Sequence, residues 1–265
     1  MMKKKQGVIT LDPWAGLQKY TEARIGLGRC GSSLPLSESL KFRLAHAKAR
    51  DAVHQPGQMG LLAGQIESAG YKTLLLASSV EDRAEYLVRP DKGRVLGAES
   101  KEQLKAQPTG FDISIVICDG LSAPAIHQSS VDVALGFLEV VGGTNLTVGP
   151  ICLVANGRVA IGDEIGSILG AKITIMLIGE RPGLSAPNSL GAYLTYASHP
   201  GTTDESRNCI SNIRPGGMTI TDAIKKIAYL VELGLRFRKT GVELKDTMPE
   251  NYLPMASIRS IHHPS

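Results

Sequence analysis

Three short aliphatic runs constrain this chain more than anything else in it: Ile113–Cys118, Ile151–Ala155 and Lys172–Ile178. Each has the length of a strand. Each is near-continuously apolar instead of alternating, which marks strands buried on both faces, as in a parallel sheet covered by helices. Helical periodicity fills the gaps, over Ala123–Val141 and Gly162–Leu169, the second stopped by Gly170. Strand, helix, strand, helix, strand is the pattern of a doubly wound α/β sheet. Lys72–Ser79 and Ala192–Ala197 read as further strands, and Ile220–Phe237 as a long closing helix. Aromatic residues are only 5% of the chain, so the core must come from Leu, Ile, Val and Ala, which suits this architecture.

The first part of the chain reads differently. Residues 1–20 form an arm carrying Trp14, the only tryptophan, whose amphipathic ring suits an anchor on the chain's own body or on a partner. Residues 21–110 read as mainly helical. One helix opens near Leu36 with Ser37 as a plausible cap, runs through Val53 and ends at Pro56-Gly57. His46, Arg50 and His54 fall on one face of it, either solvated or turned to a partner. Glu99–Gln107 reads as another helix, ended by Pro108. The sheet domain then spans 111–240, and a tail follows over 241–265.

Several classes are excluded. Net charge is +4, part of it in Lys3-Lys4-Lys5, and no face combines Lys and Arg with interleaved aromatics, so nucleic acid is not expected. Cys30, Cys118, Cys152 and Cys209 show no paired spacing, which argues against structural zinc and against a disulfide scaffold. Asp12 and Pro13 interrupt the start before a signal peptide could form, and no apolar stretch reaches membrane-spanning length.

In open α/β sheets, ligands sit beyond the carboxyl ends of the strands. That rule selects Asp119-Gly120-Leu121-Ser122, Glu180-Arg181-Pro182-Gly183 and the segment Arg207–Arg214. Familiar fingerprints are missing: no GxGxxG, no phosphate-binding P-loop, no GxSxG elbow and no HExxH. Ser122 reads as a cap on the helix that begins near Pro124, ahead of any nucleophilic role. Cys209 reads first as a small packing residue and second as a thiolate.

Six blocks carry a resemblance. They are Ala23–Arg29, Leu44–Val53, Ile117–Ala123, Ile161–Gly166, Ile178–Leu184 (Ile-Gly-Glu-Arg-Pro-Gly-Leu) and Arg207–Ile213 (Arg-Asn-Cys-Ile-Ser-Asn-Ile). In this order they resemble the small subunit of ethanolamine ammonia-lyase. The resemblance implies a carbon–nitrogen lyase that uses adenosylcobalamin to convert ethanolamine to acetaldehyde and ammonia. It implies the fold too: an α/β, Rossmann-like, mostly parallel sheet domain preceded by a smaller, mainly helical N-terminal region. The partner would be a large (β/α)8 barrel subunit carrying the substrate, with the corrin held between the two chains.

Carried over residue by residue, the family's cofactor contacts fall on Val159, Glu180 and Cys209. A corrin is a broad, largely apolar plate fringed with amides. Val159 can pack on it, Glu180 can accept from amide N–H groups, and the backbone around Cys209 can pair with the rest. No catalytic residue and no metal ligand is implied in this chain. The Asp-x-His-x-x-Gly signature that replaces the cofactor's own base is missing. The implied location is cytoplasmic, with a bacterial microcompartment as the family's further association. About twenty residues precede the first shared block, whereas members from enteric bacteria carry a long N-terminal extension.

Overall fold

The computed structural model describes residues 8–255. The basic run Lys3–Lys5 and residues 256–265 of the expected tail lie outside them.

The core is one six-stranded sheet in the order β1-β3-β2-β4-β5-β6. β1 is Thr73–Ala77, β2 Ile113–Cys118, β3 Ile151–Ala155, β4 Ile173–Gly179, β5 Leu190–Tyr196 and β6 Arg207–Ile213. The first four pair in parallel, with Leu75 opposite Leu153 and Ile115 opposite Ile175. β5 and β6 are added antiparallel, with Met176 opposite Tyr193 and Tyr193 opposite Cys209. Every residue of β2 and of β4 is buried, as their unbroken apolar runs require. β1, within the strand expected over Lys72–Ser79, is an edge strand of this same sheet. β6 is a strand where sequence gave no strand pattern.

Helices cover the two faces unequally. Ile113, Ile115, Ile117, Ile173, Ile175 and Leu177 point to one face, beneath α2 (Met59–Ser68), α6 (Val131–Val141) and α8 (Ile220–Phe237). Val116, Cys118, Met176 and Ile178 point to the other, beneath α4 (Ala98–Lys105) and α7 (Ile161–Ile168). α8 closes the first face under β5 and β6 by burying seven residues, and Thr219 caps it by accepting from the Asp222 N–H at 3.1 Å. On the second face α7 meets β6 at Arg207, which pairs with its Asp163, while Tyr193 is half-buried and Cys209 and Ser211 are exposed.

The smaller elements follow local chemistry. Asp82 caps α3 (Arg83–Val88) by accepting from the Glu85 N–H. Ser122 caps α5 (Ala123–Ala125), as expected. A π-helical turn over Ile126–Ser130, where Ser130 Oγ donates back to the Ile126 carbonyl, joins α5 to α6. Gly170 stops α7 at φ +59°. α1 (Leu36–His54) departs in one detail: Pro35 holds the cap position and no side chain caps the helix, so Ser37 lies in the first turn. α1 is also nearly unburied, with Ala52 its one buried residue across 19. Trp14 is 68% exposed, so it is not anchored on the chain's own body. Among the described residues no helix is long and apolar enough to cross a membrane.

Candidate functional site

The connection leaving β2 runs through α6 on one face, and the connection leaving β3 runs through α7 on the other. Neighbouring parallel strands whose connections depart to opposite faces leave a crevice between their outgoing loops. Here those loops are Asp119–Ser122 and Asn156–Ala160.

Asp119 organises the crevice floor. It is 1% exposed, accepts from the Asn156 N–H at 2.8 Å, and pairs with Arg83 Nη1 at 3.3 Å. Burial raises its carboxyl above the usual range, opposed by the Arg83 charge and the donated N–H groups. Arg83 also donates to the Asn156 side chain at 3.2 Å and to the Val53 carbonyl at 2.9 Å. Asp119 thereby ties the ends of β2 and β3 to α3 and to the end of α1. Next to it, Gly120 at φ +53° lets β2 and β4 approach closely, since a Cβ there would lie 2.3 Å from the Gly179 carbonyl oxygen. Tyr86 stands fully buried behind, its hydroxyl donating to the Gly157 carbonyl at 2.9 Å. Its ring lies between the guanidinium groups of Arg83 and Arg158, 4.6 and 4.2 Å from its centroid.

Glu180 follows the last residue of β4. It has no cationic partner among the described residues. Its carboxylate accepts from Ser189 Oγ at 2.5 Å, Ser211 Oγ at 2.5 Å and the Asn212 N–H at 3.2 Å. One side chain thus links the end of β4 to the entry of β5 and the exit of β6. It lies over Gly191, where a Cβ would come within 3.0 Å of Glu180 Oε1.

The exposed part of β5 and β6 continues from this point. Tyr193 and Cys209 face each other across the two strands. Burial pushes the Cys209 thiol up, and a hydrogen bond from the Tyr193 hydroxyl opposes that in part. A raised thiol lacks the electropositive setting of a reactive thiolate. Ser122 is fully buried, and its hydroxyl both caps α5 and donates to the Pro187 carbonyl at 2.7 Å. Neither Ser122 nor Cys209 is set up as a nucleophile.

Two adjoining clefts occupy this side. The first, about 440 Å³, is lined by Tyr86, Leu121, Val159, Glu180, Tyr193 and Ser211, among others. The second, about 770 Å³, is lined by Arg94, Val95, Glu164, Thr202, Asp204 and Arg207, among others. Arg158 and Val159 belong to both. The dividing wall is held from below, where Arg207 of β6 pairs with Asp163 of α7 and, at 2.9 Å, with Asp204. Burial raises Asp163 and the Arg207 charge opposes it.

Val159 and Glu180 therefore line one cleft, and Cys209 borders it through Tyr193. Of the first strand end, Gly120 and Leu121 line the cleft, while Asp119 and Ser122 hold the backbone behind it. Sequence reasoning missed Tyr86 and Tyr193, and it gave Arg158 and Ser211 no role of their own. Tyr193 was discoverable from the strand pattern around it. The other three come together only through crossovers.

The chain matches the family described as Ethanolamine ammonia-lyase light chain (EutC) over residues 11–245. It is 48% identical over 242 residues to the ethanolamine ammonia-lyase small subunit of Ralstonia nicotianae, covering 90% of each chain. It is 48% identical over 239 residues to that of Pseudomonas putida strain W619, covering 89% of this chain and 88% of the relative. The small subunit of Azotobacter vinelandii is 47% identical over 241 residues, with 89% of each covered. With a family match that spans most of the chain and relatives near half identical over about nine-tenths of it, the chain belongs to the ethanolamine ammonia-lyase light-chain family.

Proposed function

We propose that this chain is the small subunit of an adenosylcobalamin-dependent ethanolamine ammonia-lyase, and that the exposed part of β5 and β6 with the adjoining strand ends is its half of the corrin site. The observation that carries this reading is the convergence of Val159, Glu180 and the Tyr193–Cys209 pair on one cleft. Their chemistry fits the cofactor. Leu121, Val159, Ile178 and Tyr193 supply apolar surface for a broad ring. Glu180 keeps capacity to accept beyond its three present donors, because an ionised carboxylate offers about four lone-pair sites. Four parallel strands with crossovers on both faces form a Rossmann-like platform for that surface.

When bound, the cofactor supplies the radical chemistry. This chain's residues bind, orient and shield. Glu180 accepts from an amide at the ring's fringe. Val159 packs on the ring edge. The backbone around Cys209 pairs with further amides, and the sheet excludes water from one side.

A site open on one side calls for a second chain, and the (β/α)8 large subunit is the partner we assign. α1 and the arm before it support an assembly. Ordering a helix costs roughly 1–2 kcal/mol per residue in backbone entropy, and α1 offsets almost none of that by burial within this chain. Leu36, Leu40, Phe42 and Leu44 are all exposed along it.

The test is co-expression with a barrel-type large subunit. The chain should co-purify with it, the complex should take up a corrin absorption spectrum, and ethanolamine turnover should require both chains. Turnover by the isolated chain would refute the assignment.

A further inference from the structure

The second cleft is not used by the contacts assigned so far. Its charges do not cancel. Arg207 is more than neutralised by Asp163 and Asp204, and Glu164 is neutralised by Lys101 at 2.7 Å while also accepting from the Leu96 N–H at 2.8 Å. Arg94 is exposed, and its guanidinium has no partner among the described residues. Arg158 donates one Nη to the Tyr86 carbonyl at 3.1 Å and stacks on the Tyr86 ring, but its charge meets no carboxylate, and its Nε is buried without a hydrogen-bond partner. The Arg158 N–H donates to the Gly93 carbonyl at 2.7 Å, which sets residue 94 beside it. Two uncompensated guanidiniums thus share one cleft, with Thr202 and Thr203 on its far wall and Val159 joining it to the cleft that holds Glu180.

We propose that Arg94 and Arg158 form an anion subsite that takes the phosphodiester of the cofactor's nucleotide tail, while the corrin ring lies in the adjoining cleft. Guanidinium is the side chain best matched to a phosphodiester, because its forked donors can reach both free oxygens. The second cleft is large enough for a nucleotide-sized group. Val159, at the boundary, packs where ring and tail diverge. The inference rests on the corrin assignment above, and it adds residues and a ligand group which that assignment leaves open.

The probe set is adenosylcobalamin, adenosylcobinamide phosphate and adenosylcobinamide, titrated into the complex with the large subunit and followed by the corrin spectrum. Arg94→Ala should weaken the two phosphate-bearing corrinoids by about tenfold or more, the loss of one charge-assisted hydrogen bond. It should leave adenosylcobinamide unchanged, and Arg94→Lys should restore part of the loss. Arg158→Lys keeps the charge without the fork and should show the same selectivity to a smaller extent. Equal weakening of all three corrinoids, or weakening of none, overturns the subsite. Inorganic phosphate binding that needs Arg94, with no discrimination among the corrinoids, assigns the cleft to a free anion and also overturns it. If the unmodified complex binds none of the three, the corrin assignment itself fails, an outcome visible before any variant is made.

Discussion

Glu180 accepts a hydrogen bond from Ser211 Oγ at 2.5 Å, although the two residues sit at the ends of β4 and β6 with β5 between them. A carboxylate satisfied by hydroxyl and amide donors, with no ion pair among the described residues, keeps its charge directed at whatever enters the cleft. The same contact makes Glu180 the fastener of three strand ends.

Gly191 should be intolerant of any side chain. A Cβ there presses on the Glu180 carboxylate at 3.0 Å, so Gly191→Ala must push Glu180 off Ser189 or Ser211. The expected result is weaker corrinoid binding with the thermal midpoint lowered by only a few degrees, about 1 kcal/mol for a domain of this size. Circular dichroism melting beside a corrinoid titration checks both. Unaltered binding would mean that Glu180 orientation does not matter.

Cys209 should behave as a sluggish thiol. Although the residue is exposed, desolvation of the thiol against the sheet raises its pKa above the ordinary value, so the thiolate is scarcer than in a free cysteine at neutral pH. Alkylation of the isolated chain by iodoacetamide should be slow at pH 7 and accelerate only above the ordinary thiol range. Tyr193→Phe should slow it further by removing the hydrogen bond that favours the thiolate. Cys209→Ala should lower corrinoid affinity only mildly, because a thiol is a weak hydrogen-bonding group. Complete loss of binding would contradict the role given to the backbone there.

The Arg207–Asp163 pair should be costly to break and cheap to replace. Both side chains are almost fully buried, so Asp163→Ala strands the guanidinium with only Asp204 and the Thr202 carbonyl for partners. Destabilisation of about 3–5 kcal/mol is expected in urea melts. The double variant Asp163→Leu with Arg207→Met should regain much of it, since well-packed apolar groups can match a buried pair. A double variant no better than Asp163→Ala would show that the pair is irreplaceable.

Much of this fold was legible because β2 and β4 are buried on both faces and their sequences say so. Ile113–Cys118 has no other way to be read. β6 was not legible because half its surface is open. In Arg207–Ile213 only Ile210 and Ile213 enter the core beside the paired Arg207, so no strand period appears. Ser37 looked like a cap because capping residues are recognised by type, but the chain enters α1 through Pro35, two residues too early for it. For the site, the strand-end rule marked the segments that hold Glu180 and Cys209, but only the resemblance singled out these two residues and added Val159. Glu180 shows why: its donors Ser189, Ser211 and Asn212 lie on other strands, and only the β4-β5-β6 order brings them together.

The central claim is that the Glu180 cleft is this chain's half of a corrin site. It is tested most directly by titrating adenosylcobalamin into the complex with the large subunit, for the unmodified chain and for Glu180→Ala. The account predicts saturable binding by the unmodified complex, and an affinity loss of about 1–3 kcal/mol in the variant as a corrin amide loses its acceptor. Equal affinity in the two complexes would contradict it.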